Sequence, residues 1–369
     1  MSEFDRVVDA VNALHGAGGA EAGAPRLDAW LARARGDGAS DLLLVAGVPP
    51  SLRIDGHLAP IDGAAVLDGE DIEQAVMPAL PEHAARAFRA GQAVDARLRV
   101  ASGRFRVNLH RERGRAAAAI RVLPDAPPRL DELNLPPGVE ALSRIPRGLV
   151  LVGGATGVGK TTTLAALVDA INRRDARHIV TIEDPIEYEH RHQRSVVEHV
   201  EVGIDAPDFA SALRAAVRQA PDVIVVGEMR DPETMQIALA AAETGHVVFS
   251  SVHTTDAAST VGRIGDSFPA ERQSTVRQDL SMALTAIYTQ VLLPRKGGGL
   301  VPAGELLIAG YGARQHIRKN ALQHLHQEIT LTRKHGSFTL EDSLNRLVRD
   351  GLVDRADALA RAVYPDEIL

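Results

Sequence analysis

Between residues 154 and 161 the chain reads Gly154-Ala155-Thr156-Gly157-Val158-Gly159-Lys160-Thr161, and the flanks of these positions constrain the fold most. The apolar run Gly148-Leu149-Val150-Leu151-Val152 ahead of it reads as a buried strand. A helix is expected to leave it over residues 162–172. A buried strand feeding a glycine turn that opens a helix is a unit of a parallel sheet, so the surrounding fold is α/β. Glycines let backbone N–H groups approach and encircle phosphate oxygens, with the positive end of the helix dipole behind them. Lys160 supplies a mobile charge for outer phosphates and Thr161 a hydroxyl for Mg²⁺, with Thr162 completing the set. A nucleoside triphosphate with Mg²⁺ is therefore expected. A glycine-rich turn that binds nothing would not require this strand–loop–helix context.

Length and composition narrow the class. A chain of 369 residues suggests two or three domains. Its formal charge of −7 argues against a bulk surface for nucleic acid or anionic lipid. The absence of cysteine removes disulfides, thiolate zinc sites and cysteine nucleophiles, and fits a cytoplasmic protein. No apolar stretch approaches the roughly 18–20 residues of a membrane span, so any membrane role is expected to be peripheral. Residues 1–15 are acidic and amphipathic, unlike a signal peptide, and read as one short helix.

Patterning predicts five segments: an N-terminal extension and linker (1–25), an α+β domain (26–124), a proline-framed connector (125–138), a P-loop core (139–310) and a helical tail (311–369). Gly16 to Pro25 reads as the flexible linker. In the first domain, Asp55-Gly56 between apolar runs signals a hairpin. Strands are also expected at 42–45, 93–100, 104–111 and 115–123, with helices near 70–80 and 82–90. In the core, strands are expected at 148–153, 178–183, 222–227, 246–252 and 303–308. Helices are expected at 208–219, 233–244, 257–266 and 270–293. The tail carries three helical segments broken at Gly336-Ser337 and Gly351.

Parallel strands present their C-terminal ends to one crevice, where ligands bind. This sorts the acids. From Asp222 to Glu228 the extended chain covers about 20 Å, so only Glu228 reaches the phosphates, as a candidate ligand for Mg²⁺ or its water. The strand from His178 ends in Glu183, Asp184 and, past Pro185, Glu187. Hydrolysis needs a group that orients or deprotonates water. Glu187 is slightly favoured over Glu183, and a loop-capping role competes for each. His246 and His253 bracket another strand, more than about 20 Å apart. His253 is placed to sense the γ-phosphate, whereas His246 is structural or faces a neighbouring subunit.

The hairpin over 104–123 turns at Arg113-Gly114. Pairing across it matches Phe105 with Val122, Val107 with Ile120 and Leu109 with Ala118, and sets Arg106 opposite Arg121. Opposed like charges are destabilising, so an anion or an acidic partner is expected between them. Acids of the same domain are one reading. Phosphate clamping during phosphoryl transfer is the other.

These residues resemble the hexameric secretion ATPases, most closely the retraction ATPases of type IV pili. The similarity runs over Gly38–Leu42 and Pro49–Gly56, an acidic box Thr181–Glu187, a Walker B region Pro221–Asp231 and a histidine box Ala242–Thr254. It implies an N-terminal PAS-like domain followed by a RecA-like P-loop core with a helical C-terminal tail. It further implies a cytoplasmic homohexamer, peripheral at the inner face of the cytoplasmic membrane. There ATP-driven domain rotation would act on an inner-membrane pilus platform protein, related pilus ATPases being possible partners. No nucleic acid is expected. Arg106 and Arg121 would reach the nucleotide. Leu43 stands where relatives often carry histidine. The tail signature Ala-Ile-Arg-Asn-Leu-Ile-Arg-Glu survives only as Gly312-Ala313-Arg314-Gln315-His316-Ile317-Arg318-Lys319. That departure leaves room for an accessory paralogue or a regulatory subunit with weak turnover. An assembly or type II secretion ATPase is disfavoured, since such relatives carry a four-cysteine zinc module and a longer N-terminal region.

Overall fold

The computed structural model describes residues 25–369 apart from Asp55. The helix expected over 1–15, and the expected linker up to residue 24, lie outside the described residues. Between Ala126 and Pro127 the chain divides into two compact units.

The first unit runs α1 (Pro25–Gly36), β1 (Asp41–Leu44), β2 (Ser51–Ile54), β3 (His57–Pro60), α2 (Gly69–Val76), α3 (Glu82–Arg89), β4 (Val94–Val100), β5 (Gly103–Glu112) and β6 (Arg115–Leu123). Its sheet has the order β3-β2-β1-β6-β5-β4, every pairing antiparallel. Alternation puts Phe105, Val107, Leu109, Ala118 and Ile120 on one buried face, with Leu42 and Leu44 beside them. Leu27, Leu31, Ile72 and Phe88 of the helices complete this core. The β5–β6 register is the one read from the sequence: Phe105 faces Val122, Arg106 faces Arg121 and Leu109 faces Ala118. Arg113 (φ 49°) and Gly114 (φ 77°) both take positive φ, the geometry whose twist suits a two-residue hairpin. The β2–β3 hairpin forms as expected, with Gly56 at φ 82° in its turn and Asp55 outside the described residues.

The second unit runs β7 (Gly148–Gly153), α4 (Lys160–Arg174), β8 (His178–Glu183), β9 (Val196–Glu201), α5 (Phe209–Ala216), β10 (Val223–Val226), α6 (Pro232–Glu243), β11 (Val247–Val252), α7 (Ala257–Asp266) and α8 (Ala270–Ala283). There follow β12 (Leu284–Pro294), β13 (Leu300–Ile308), α9 (Tyr311–Arg318), α10 (Leu325–Leu331), α11 (Leu340–Arg349) and α12 (Arg355–Arg361). The sheet order is β13-β12-β7-β11-β10-β8-β9, parallel except for the antiparallel β12–β13 hairpin. Successive residues of β7 serve opposite faces. Leu149 and Leu151 join one core with α6 to α8, and Val150 and Val152 join another with α4 and Tyr288.

Three expectations need correction. Helix α8 stops at Ala283, and residues expected to continue it to 293 instead form β12. Thr285, Ile287, Thr289 and Val291 are β-branched at alternate positions, which favours a pleated strand, and β12 inserts between β7 and β13. Strand β9, unanticipated, pairs parallel to β8. The tail holds four α-helices rather than three. Gly336 (φ 103°) and Gly351 (φ 70°) mark the expected breaks, and a further break separates α9 from α10. Among the described residues no helix is long and apolar enough to cross a membrane.

Candidate nucleotide site

The loop after β7 owes its shape to glycine. Gly154 (φ 145°), Gly157 (φ 83°) and Gly159 (φ 85°) all take positive φ. A Cβ on Gly154 would stand 2.6 Å from both the Gln290 carbonyl oxygen and Val158 Cγ2, so no side chain fits there. Gly159 caps α4 without any side-chain bond, which leaves first-turn N–H groups to serve the loop.

Lys160, the first residue of α4, is 7% exposed. Its Nζ donates to the carbonyls of Gly154 and Ala155, each at 2.8 Å, and lies 3.5 Å from His253 Nδ1. Burial pushes its pKa down from the usual lysine range, and Glu228 opposes that shift. Glu228 follows β10 and is mostly buried. Its Oε1 is 2.5 Å from an Arg230 guanidinium nitrogen and its Oε2 3.7 Å from His253 Nε2. His253, just past β11, is pushed below the ordinary histidine value by burial first and Lys160 next, with Glu228 opposing. An ammonium only donates, so Nδ1 accepts, and the ring hydrogen on Nε2 faces Glu228. Lysine, carboxylate and neutral imidazole thus meet beside the loop, at the C-terminal ends of parallel strands.

The acidic segment after β8 is held from two sides. Glu183 Oε2 accepts the Glu187 N–H at 3.3 Å, and its Oε1 lies 4.0 Å from His199 Nδ1. Glu201, buried on β9, accepts the Ile186 N–H at 3.0 Å. The Tyr188 and Thr162 hydroxyls share a hydrogen bond of 3.0 Å, which ties the segment to the first turn of α4. Glu183 and Glu187 are therefore directly linked, and both stand as candidate bases. Asp222 is elsewhere, with Oδ2 accepting the His178 N–H at 2.8 Å.

His246 sits at the opposite end of β11 from His253, as its spacing requires. Its Nδ1 lies 2.9 Å from the Ala241 carbonyl at the end of α6. It does not join the Lys160 group. Sequence reasoning missed Gln290, which is 3% exposed and bonded to the loop from β12. The helix expected over 270–293 covers its position, where the chain instead forms β12.

Arg106 and Arg121 belong to the first unit, and there the same-domain acids hold. Arg106 Nε bonds Asp95 Oδ1 at 3.2 Å, and Arg121 Nε bonds Asp41 Oδ1 at 3.0 Å. Arg53, Asp41, Arg121, Arg106 and Arg97 are directly opposed on successive strands, a charged row on one face of the sheet. The two arginine side chains are 41% and 66% exposed, so theirs are surface pairs worth at most about 1 kcal/mol each.

Residues 91–335 match the family described as type II/IV secretion system protein. The chain belongs to that family. It is 40% identical over 330 residues to the type IV pilus retractation ATPase PilT of Pseudomonas aeruginosa, covering 89% of this chain and 96% of that protein. It is 40% identical over 320 residues to a twitching motility protein of Neisseria gonorrhoeae, covering 86% and 85%. Among solved structures it resembles the pilus retraction motor PilT with bound ADP, with a TM-score of 0.85 and 42% identity over 92% of this chain and 98% of that one. Two residues of the tail segment 312–319 face Glu328 of α10. A Cβ on Gly312 would collide with the Glu328 carboxyl, and His316 Nε2 lies 3.4 Å from Glu328 Oε1.

Proposed function

We propose that this protein is an ATP-hydrolysing motor subunit that drives retraction of type IV pili. The observation that carries the reading is the meeting of Lys160, Glu228 and His253 at a glycine cradle only glycine can form, in a chain so similar to PilT. Backbone N–H groups of 154–162 bind phosphates, and Lys160 leaves its loop carbonyls for the outer ones. Thr161 hydroxyl and Glu228 carboxylate are hard oxygens suited to Mg²⁺, which would neutralise phosphate charge when bound. Glu187 or Glu183 orients water, and neutral His253 reports on the γ-phosphate. Arg106 and Arg121 trade their aspartates for phosphate oxygens. His246 serves the end of α6 or a subunit contact. We further assign a cytoplasmic homohexamer at the inner face of the cytoplasmic membrane, acting on a membrane platform protein of the pilus.

The mutual fit of Gly312, His316 and Glu328 favours a working tail over a decayed one. A regulatory subunit with weak turnover is the competing reading. The test is ATP hydrolysis by purified protein, with Lys160→Ala and Glu228→Ala as controls, beside light scattering with ATP present. Turnover well above both controls and a particle near six chains are expected. Turnover at the control level would favour the regulatory reading, and a stable monomer would remove the ring.

A further inference from the structure

Gln290 lies against the phosphate loop at two places, its first glycine and the peptide between Val158 and Gly159. Its main-chain oxygen is what a Cβ on Gly154 would strike. Its Nε2 donates to the Val158 carbonyl at 2.5 Å, and its Oε1 accepts the Thr163 hydroxyl at 2.7 Å. Its Nε2 also lies 3.2 Å from where a Cβ on Gly159 would stand. Gln290 and Thr163 are 3% and 1% exposed, so water does not compete for these bonds. The amide cannot flip, because its oxygen would then oppose the Val158 carbonyl. The backbone of β12 is itself fixed on both sides, Thr289 pairing with Gly153 and Gln290 with Gly304.

We propose that Gln290 is a positioning residue for nucleotide: a clamp that turns the peptide between Val158 and Gly159 so that its N–H faces phosphate. A trans peptide points its carbonyl and its N–H in opposite directions. Drawing the Val158 carbonyl toward β12 therefore turns the Gly159 N–H away from β12, into the cradle that Lys160 closes. Thr163, one turn into α4, locks the amide in the required sense. This inference rests on the nucleotide reading above, and it names a residue outside the glycine-lysine motif that sets affinity for the phosphates.

The test is binding of fluorescent ADP and steady-state ATP hydrolysis by the full chain and four variants. Gln290→Met keeps length and volume but loses both side-chain bonds. It should raise the ADP Kd and ATP KM about tenfold, equivalent to about 1.4 kcal/mol, with kcat within about twofold. Thr163→Val should weaken ADP binding by about threefold, and Thr163→Ser should restore it. Gln290→Glu should bind better as pH falls, since only its protonated carboxyl can donate to Val158. Wild-type affinity in both Gln290→Met and Thr163→Val would overturn the clamp. So would a loss confined to kcat or thermal stability. If Gln290→Met does not fold, the Thr163→Val and Thr163→Ser pair decides alone. Failure of the unmodified chain to bind ADP would instead remove the nucleotide reading, and the clamp with it.

Discussion

Acidification from pH 7 to pH 5 should destabilise the second unit through His190 by about 2 kcal/mol. His190 is 8% exposed, stacks on His199 with ring centroids 5.7 Å apart and planes 11° apart, and leaves Nδ1 buried without a hydrogen-bond partner. Burial first, and His199 second, push its pKa down to about 3. In the unfolded chain a histidine titrates near 6.5. Between those values the unfolded chain binds a proton that the folded chain does not. The stability is therefore complete above about pH 6.5 and is lost as pH falls toward 3. From 6.5 to 5 is about one and a half pH units at about 1.4 kcal/mol each, which gives the 2 kcal/mol. Urea unfolding followed by circular dichroism at both pH values measures the loss. His190→Phe keeps an aromatic ring against His199 but cannot take a proton, so its pH dependence should be shallower by that amount. An identical dependence in the two proteins would refute the reasoning.

Three other outcomes follow from the same geometry. Glu187→Gln should lower kcat at least about 100-fold with ATP binding retained; if Glu183→Gln shows that loss instead, the base is Glu183. Arg106→Ala and Arg121→Ala should cost turnover far more than stability, because exposed pairs contribute at most about 1 kcal/mol; unchanged ATPase activity in both would end their assignment. Gly304→Ala should destabilise the chain by about 1–3 kcal/mol, as it drives a methyl into the Thr289 carbonyl oxygen and the buried Tyr288 ring; an unchanged thermal midpoint would contradict that packing.

What short stretches of chain decide was legible. The buried run into glycines and Lys160 specified strand, loop and helix, because backbone geometry there is local. The register of β5 on β6 followed from a two-residue turn and a period of two, which is why the opposition of Arg106 and Arg121 is already written in the order of residues. The positions of Glu228 and His253 at strand ends followed from extended-chain length alone.

Other features needed the fold. A strand buried on both faces lacks the apolar–polar alternation of a half-exposed one, so in β12 only the β-branched residues at every second position mark a strand, and a helical reading that continues α8 hides Gln290. Strand β9 brings Glu201 and His199 to the acidic segment through a parallel pairing, which no local pattern announces. The partners of the two arginines depended on strand order. Asp41 reaches Arg121 across 80 positions of sequence because β1 lies beside β6, and Asp95 reaches Arg106 because β4 closes the other edge. The sequence by itself determined the phosphate loop and the charges offered near it. Tertiary structure alone decided what holds that loop and what neutralises those charges, since both rest on contacts between segments that only sheet assembly makes neighbours.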